Sequence, residues 1–315
     1  MVAKSEPMGA VHSVDEFGLE VPDLGPARTF YEAFGLEVRS EGNALGLYTR
    51  GIEHRWALIT RGTRKRLTHL SFGAFDSDYA AIVRRSEQKE LARVPPPAGS
   101  SPEGLWLRDP AGLAIRVRSA HKFTPNAKTP PIGASARAGA RAAPATAERP
   151  LIRPLRFSHI AVFQSDVPKA VAFYTEVLGL RVADHVAGVV AFMRSIHGSD
   201  HHILALAKSS GPGMHHCSWD VGSIDNVGLG GRQMEDRGYA HETGWGPGRH
   251  VIGSNYFYYA RDPWGSYAEL TADIDYIEAG QGWDDHAYGM DDALYLWGPP
   301  PPANFLANKE IERAA

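Results

Sequence analysis

The chain has 315 residues, a formal net charge of −3 and an apolar fraction of 43%. This length suits about two domains of ordinary size, and the absence of basic blocks argues against binding to nucleic acid or to an anionic membrane surface. No apolar run approaches the roughly 20 residues of a membrane span, and the N-terminus lacks the apolar core of a signal peptide. One cysteine, Cys217, excludes an internal disulfide framework. We therefore expect a cytoplasmic enzyme.

The first unit of the chain, residues 1–120, has a second copy in residues 151–280. Each copy is predicted to form a strand, a helix and then several strands. "EFGLEVPDLGPARTFYEAFGL" from Glu16 matches "HIAVFQSDVPKAVAFYTEVLGL" from His159, and "LRDPAGLAIRV" later in the first copy matches "ARDPWGSYAEL" in the second. We interpret the chain as an internal duplication whose two domains each bury a core.

Two further segments lie outside the copies. Residues 121–150 are rich in Ala, Pro and Gly and lack a periodic apolar pattern, which is typical of a linker. Residues 281–315 form a tail with aromatic residues such as Trp283 and Trp297, which are unusual in a disordered end. We expect most of this tail to pack on the second copy.

Three residues of the second copy form a candidate metal site. His159, His216 and Glu269 each lie in a short apolar run typical of a strand. Two imidazoles and one carboxylate are the ligand set that holds non-haem Fe(II) and leaves positions open. Because adjacent side chains of a strand alternate between its faces, His215 and His216 are not expected to face the same side. The repeat matches His69 with His216, so we select His216.

The three ligand positions of the first copy read Glu16, His69 and Arg116, so an acid replaces the first imidazole and a cation replaces the carboxylate. We expect it to bind no metal. An unpaired buried charge is costly, whereas an ion pair offsets much of the desolvation. We therefore predict a contact between Glu16 and Arg116 at hydrogen-bonding distance.

Two more segments, "GSDHHILALA" and "GRHVIGSNYFYYARDPWG", complete a pattern with the three ligands. With them the chain resembles the type I extradiol ring-cleavage dioxygenases, similar to catechol 2,3-dioxygenase, of the vicinal oxygen chelate superfamily. The resemblance covers nearly the full length. It implies an α+β fold with two tandem vicinal oxygen chelate domains, each a pair of βαβββ modules curving into an incomplete barrel. The first domain is implied to bind no metal, and the second to be catalytic.

The resemblance also implies roles for individual residues. His159, His216 and Glu269 correspond to the Fe(II) ligands, and His202 to an acid/base histidine outside the metal shell. An imidazole suits proton transfer near neutral pH. The other implied or expected site residues are the substrate-binding His250 and Tyr259, both also in the catalytic set, together with Asn255 and the apolar pocket residues Phe192 and Trp245.

The implied activity is Fe(II)-dependent cleavage of a catechol-type ring with O₂, the ring being alkyl-substituted or trihydroxylated. We expect a homo-oligomer, either a dimer, a tetramer or a larger assembly. Two alternatives remain open. A metal-dependent isomerase or lyase of the glyoxalase type would usually take ligands from two modules, and a non-catalytic small-molecule binding protein is permitted by the fold alone. The physiological catechol, the side of cleavage and the choice of Fe(II) or Mn(II) are not determined by the sequence.

Overall fold

The computed structural model describes residues 9–132, 138–239 and 244–312. In the first copy the elements are β1 (Val11–Val21), α1 (Leu24–Ala33), β2 (Glu37–Glu41), β3 (Ala44–Tyr48), β4 (Ala57–Arg61), β5 (Arg66–Ala74), α2 (Asp76–Gln88), β6 (Leu105–Arg108) and β7 (Ala114–Ser119). A short 3₁₀ helix follows at Thr146–Glu148. None of the described helices is both long and apolar enough to cross a membrane.

The second copy and the tail continue the chain with further elements. They are β8 (Arg156–Gln164), α3 (Val167–Glu176), β9 (Arg181–Val186), β10 (Val190–Arg194), β11 (Ser199–Asp200), β12 (Leu204–Lys208), β13 (Gly213–Asp220), α4 (Ile224–Asp236), β14 (Trp245–Arg249), β15 (Tyr256–Arg261), β16 (Tyr267–Ala272), β17 (Tyr276–Ile277), β18 (His286–Ala287), α5 (Met290–Ala293) and α6 (Lys309–Glu312). Helix α3 begins where its sequence predicts, because the Asp166 side chain caps the Lys169 N–H at 3.0 Å.

Each copy forms one large sheet. The first sheet has the order β2-β3-β4-β1-β5-β7-β6, and the second has the order β14-β15-β16-β13-β8-β12-β10-β9-β18. In both sheets the first strand of the copy lies at the centre, parallel to one neighbour and antiparallel to the other. The predicted βαβββ modules account for this order, and neither sheet closes into a barrel.

One module differs from the prediction. In the first copy two strands follow α2 in the described residues, where three are expected. The missing strand falls on residues 95–97, which are three prolines. Proline has no N–H to donate to a ladder, so the pairing stops after Val94 N donates to Trp106 O at 3.0 Å.

The strand registers agree between the copies, residue by residue. The residue pairs that correspond are Glu16–Ser71 with His159–Ser218, and Ser71–Arg116 with Ser218–Glu269. The alignment of the repeats is therefore confirmed at all three ligand positions.

The two copies share one hydrophobic core, in contrast to the expectation of two separate cores. Buried residues of both sheets belong to a single cluster. The rings of Phe17 in β1 and Phe157 in β8 lie 5.5 Å apart between their centroids, and Val11 N donates to Leu178 O at 2.9 Å. Because burial of such side chains contributes about 1.5 to 3 kcal/mol each, this shared core holds the copies in a fixed relation.

The linker and the tail both pack on the second copy. In the linker, the buried Lys122 Nζ donates to the carbonyls of His197 and Gly198 at 3.2 and 2.8 Å. Residues 133–137 of the linker lie outside the described residues. In the tail, β18 adds to the second sheet beside β9, and Glu310 of α6 accepts from Met214 N at 2.9 Å. The Glu310 carboxylate also accepts from Leu67 N of the first copy at 2.9 Å, so the tail extends the second domain and contacts the first as well.

Candidate active site

The three predicted ligands converge at the centre of the second sheet. His159 lies on β8, His216 on β13 and Glu269 on β16, and these three strands are adjacent. Glu269 Oε2 lies 3.1 Å from His159 Nε2 and 3.5 Å from His216 Nε2. Among the described residues, one group of three metal-binding side chains converges, and it is this one.

The arrangement of these atoms fits a metal ion. Glu269 Oε2 and His216 Nε2 are buried and have no hydrogen-bond partner within the described parts of the chain. Ligands held at about 2.1 Å from an ion, at right angles to each other, lie roughly 3 Å apart, which is close to the two distances found here. Burial alone raises the pKa of the Glu269 carboxyl, but His159 and, to a smaller extent, His250 bring the pKa below its ordinary value. The carboxylate is therefore ionised and available to a cation.

A β-bulge precedes each metal-site histidine. Ser158 and His215 are the unpaired residues where the registers of β8 and β13 shift. A bulge redirects a side chain, and each bulge residue meets the Nδ1 of the histidine that follows. His215 Nδ1 lies 2.6 Å from His216 Nδ1, and Ser158 Oγ lies 3.2 Å from His159 Nδ1. The strict alternation expected for His215 and His216 is therefore interrupted.

His202 lies beside the metal ligands without joining them. Its ring is 4.2 Å from that of His159 between centroids, and its Nδ1 lies 3.1 Å from His201 Nδ1. The opposite nitrogen of His201 lies 2.8 Å from Asp184 Oδ2. Burial, and secondarily the His159 ring, hold the pKa of His202 well below its usual value. His202 is therefore neutral near pH 7 and can accept a proton.

His250 and Tyr259 form a hydrogen-bonded pair next to Glu269. His250 Nε2 lies 2.9 Å from the Tyr259 hydroxyl and 3.8 Å from Glu269 Oε1. Burial and the neighbouring Glu269 raise the pKa of Tyr259 well above its usual value, so the phenol stays protonated. It is therefore a hydrogen-bond donor at any physiological pH.

A cavity of about 140 Å³ adjoins these groups. His159, His202, His216, His250 and Tyr259 all lie on its wall. The remainder of the wall is mainly aliphatic and comes from β9, β10, β12, the loop between β14 and β15, and the tail. It includes Val186, Val190, Ala205, Ile252, Met290 and Leu306. A small apolar cavity with a few polar groups at one side is typical of an enzyme site for a small apolar ligand.

The three predicted pocket residues have different positions. Phe192 lies on the cavity wall, 4.8 Å from the His202 ring between centroids. Asn255 also lies on the wall, but its amide donates to Glu269 Oε1 at 3.1 Å and to Thr271. Trp245 is buried one layer further back, stacked on Tyr259 with the ring centroids 5.5 Å apart.

Comparison with known proteins decides the family. Residues 156–270 match the model of the Glyoxalase/Bleomycin resistance protein/Dioxygenase superfamily. Metapyrocatechase 2 of Cupriavidus necator is 43% identical over 306 residues, which cover 97% of this chain and 95% of that protein. The chain belongs to the extradiol ring-cleavage dioxygenases. It is an oxidoreductase of the vicinal oxygen chelate superfamily, as its sequence indicates.

Solved structures confirm the fold of this dioxygenase. An extradiol ring-cleaving dioxygenase from B. fuscum superposes with a TM-score of 0.74 at 20% identity, covering 96% of this chain and 83% of that one. A Mn(II)-bound glyoxalase from Novosphingobium aromaticivorans superposes with a TM-score of 0.71 at 24% identity, covering 93% and 95%. At these identities the likeness shows the two-domain fold alone.

The first copy of the dioxygenase shows that the predicted Glu16 to Arg116 contact is wrong. The buried Glu16 instead accepts from Arg55 Nε at 2.6 Å, and its other oxygen lies 3.6 Å from His69 Nε2. Arg116 turns away and donates to the carbonyl of Glu103 at 2.9 Å. Burial raises the pKa of Glu16, but His69 and Arg55 bring the pKa below its ordinary value.

The sequence contains the reason for this different partner. In the aligned repeats Arg55 stands at the position of His202, so the first copy carries a cation where the second copy has this histidine. In the second copy His202 lies beside His159, with 4.2 Å between the ring centroids. In the first copy Arg55 and Glu16 stand at these two positions and are therefore also neighbours. Only the match of "GIEHRWAL" with "GSDHHILAL" could have revealed the pair from the sequence.

We predict that Arg55→Ala lowers the free energy of unfolding by about 3 kcal/mol, because it leaves a buried carboxylate unpaired. This value lies at the low end of the range for buried pairs, since the Arg55 side chain is 28% exposed. Arg116→Ala is the matched control and should cost less, as Arg116 does not hold Glu16. Denaturant unfolding measures both. Equal losses, or a larger loss in Arg116→Ala, would contradict the assignment.

Sequence reasoning missed several groups around the site. They are the bulge residues Ser158 and His215, the pair His201 and Asp184, and the tail residues Leu294 and Phe305. The doubled histidines at 201–202 and 215–216 were a usable signal, since one histidine of each pair was already assigned to the site. No comparable signal marks the carbonyls of Leu294 and Phe305, because every residue has a backbone carbonyl.

Proposed function

We propose that this dioxygenase cleaves a catechol-type ring beside its diol, using O₂ and one Fe(II) held by His159, His216 and Glu269. The observation that carries the proposal is the buried triad with unpaired ligand atoms, next to a small apolar cavity. The name of the Cupriavidus necator relative, Metapyrocatechase 2, supports the same substrate class. We further propose that the chain acts in the cytoplasm and as a homo-oligomer. Light scattering on the purified protein tests the oligomeric state.

The side chains of the cavity have complementary tasks in this reaction. A bound Fe(II) supplies coordination positions for the two diol oxygens and for O₂, which makes their reaction effectively intramolecular. The neutral His202 takes a proton from a substrate hydroxyl and later returns one. The Tyr259 hydroxyl, which His250 Nε2 orients at 2.9 Å, turns its one hydrogen from His250 to a substrate oxygen when a substrate binds. Asn255 holds Glu269 Oε1, so that Oε2 faces the two ligand histidines.

The cavity wall favours an alkyl substituent on the ring. The wall away from the triad is formed by aliphatic side chains of β9, β10, β12 and the tail. Among the described residues of this wall, Lys208 is the one Lys or Arg, and it is exposed. A substituent carboxylate would lose its hydration among these aliphatic groups without gaining a buried partner. An alkyl group would gain roughly 0.8 kcal/mol for each buried CH₂.

The test is ring cleavage by the iron-reconstituted protein with catechol, 4-methylcatechol, a trihydroxybenzene and a carboxylated catechol. We expect a yellow ring-opened product from catechol, and kcat/KM higher for the methyl compound than for the carboxylate. Mass spectrometry of the products fixes the side of cleavage, and metal analysis compares Fe(II) with Mn(II). Iron-loaded, folded protein that opens none of these rings would refute the function. A preference for the carboxylate would refute the assignment of the cavity wall.

We predict that Tyr259→Phe slows ring cleavage while iron content stays unchanged. The variant removes one hydrogen bond to a charged substrate oxygen, worth roughly 1.5 to 3 kcal/mol. Steady-state kinetics should show the loss in kcat/KM. Tyr258→Phe is a suitable control, because the Tyr258 hydroxyl contacts Glu235 at 3.3 Å, outside the cavity. Unchanged kinetics in Tyr259→Phe would reduce Tyr259 to a packing residue.

A further inference from the structure

Two carbonyls of the C-terminal tail accept from histidines around the candidate metal triad, and a third backbone group, an N–H, donates to a carboxylate that contacts another histidine. We propose that the tail fixes which ring nitrogen carries the proton in His202, His216 and His250. The backbone groups are the N–H of His286 and the carbonyls of Leu294 and Phe305. The proposal rests on the proposed function for the tasks of these histidines, and on the geometry of the chain for everything else.

A path of two hydrogen bonds connects the Phe305 carbonyl with the candidate metal ligand His216. His215 Nε2 lies 2.8 Å from the Phe305 carbonyl, and a carbonyl can only accept, so this nitrogen carries a hydrogen. In a neutral imidazole the other nitrogen is then an acceptor. It lies 2.6 Å from His216 Nδ1, which must donate. His216 Nε2 therefore keeps its lone pair, 3.5 Å from Glu269 Oε2 and directed to the metal position.

The reverse arrangement would prevent metal binding. If the neutral His215 carried its hydrogen on Nδ1 instead, it would donate to His216 Nδ1, and a neutral His216 would carry its own hydrogen on Nε2. A nitrogen that bears a hydrogen has no lone pair for a metal. The carbonyl of Phe305 thus selects the tautomer that can bind the ion, through the bulge residue His215.

The path from Leu294 reaches His250 directly. The Leu294 carbonyl lies 2.6 Å from His250 Nδ1, which therefore carries the hydrogen. His250 Nε2 is then an acceptor for the Tyr259 hydroxyl at 2.9 Å. This contact holds the phenol oxygen in place at the cavity wall.

The path from His286 reaches His202 through two residues. The His286 N–H donates to Asp184 Oδ1 at 2.7 Å, which orients the carboxylate so that Oδ2 lies 2.8 Å from His201 Nε2. A carboxylate only accepts, so His201 carries its hydrogen on Nε2. Its Nδ1 then accepts from His202 Nδ1 at 3.1 Å. The lone pair of His202 is left on Nε2, free to accept a proton. Asp184 and His201 are therefore positioning residues.

Replacement of the intermediate His215 tests the path to the metal. We expect His215→Leu to weaken Zn(II) binding by about 10- to 100-fold, as loss of an outer partner of a metal ligand typically does. In His215→Asn the amide oxygen occupies the place of Nδ1 and can only accept, so the variant should recover most of the affinity. Competition with a chelator measures both.

His54→Leu is the matched control for these variants. His54 stands at the His201 position of the first copy, is buried, and bonds a backbone carbonyl at 2.7 Å through Nε2. Its loss should lower thermal stability and leave Zn(II) affinity unchanged. Wild-type affinity in His215→Leu, or a loss in His215→Asn as large as in His215→Leu, would overturn the proposed path.

Nitrogen-15 spectra of the Zn(II)-loaded protein test all three histidines without turnover. We expect His202, His216 and His250 each to show a protonated Nδ1, with signals assigned through single variants. In His201→Leu the His202 signals should shift toward a mixture of tautomers, with kcat lowered and KM unchanged, and His201→Asn should restore both. Protonated Nε2 in wild-type His250, or in His216 of the metal-free wild-type chain, would overturn the inference. If the protein shows these tautomers but opens no catechol ring, the proposed function is refuted and the tautomer assignment stands.

Discussion

Glu269→Gln is expected to abolish ring cleavage because the protein loses its metal. Glu269 is fully buried, and its Oε2 faces both ligand histidines. An amide oxygen brings no negative charge to the ion. Loss of a hydrogen-bond partner of a metal ligand lowers metal affinity by about 10- to 100-fold, and we expect a larger loss when the ligand itself loses its charge. Metal analysis after dialysis against a chelator, followed by the catechol assay, measures both effects.

Two controls make this result specific. Glu176→Gln removes an exposed carboxylate that pairs with Lys89 on the surface, and should leave iron content and activity unchanged. Wild-type protein stripped by the chelator should lose activity and regain it on addition of Fe(II). Full iron content in Glu269→Gln, or two bound metal ions in the wild-type chain, would contradict a single site at His159, His216 and Glu269.

His202→Phe is expected to lower kcat by about 10² to 10⁴, the usual contribution of a positioned acid/base group. Iron content should stay close to that of the wild type, because His202 lies beside the triad and is not one of its members. Phenylalanine fills the same part of the cavity, so the loss reports the missing proton acceptor.

The pH profile gives a second measurement on the same variant. Burial lowers the pKa of His202 well below its ordinary value, so the base form persists as the pH falls below that value. The acid limb of kcat should therefore lie below the ordinary imidazole range and disappear in His202→Phe. His121→Phe, the same exchange at an exposed linker histidine, is the control. Loss of iron from His202→Phe would make His202 a ligand and require a new assignment of the triad.

The candidate metal site could be predicted because each position of the second copy could be compared with its equivalent in the first. A lone histidine in an apolar strand is uninformative, but His159, His216 and Glu269 stand at positions that the repeat marks as equivalent, and their residue types match one metal site. The same comparison selected His216 over His215. The register of β8, β13 and β16 then brings the three side chains together, as the repeat requires.

The partner of Glu16 could not be predicted in the same way. The ligand positions of the repeat suggested Arg116, because both residues were expected to point into one site. In the structure Arg55 donates to Glu16, and Arg116 donates to the carbonyl of Glu103, which precedes β6. Which of two nearby cations pairs with a buried carboxylate depends on distances of about an ångström, which strand alternation does not specify.

By itself the sequence determined the family, the duplicated architecture and the residues able to hold a metal, since these follow from residue type, spacing and strand periodicity. Only the tertiary structure decided how those residues are held. The bulges at Ser158 and His215 break the periodicity on which strand reading depends. The tail contacts at Leu294 and Phe305 are made by backbone carbonyls, which every residue possesses. A group that is common to all residues leaves no trace in the sequence, and only folding places it beside a histidine.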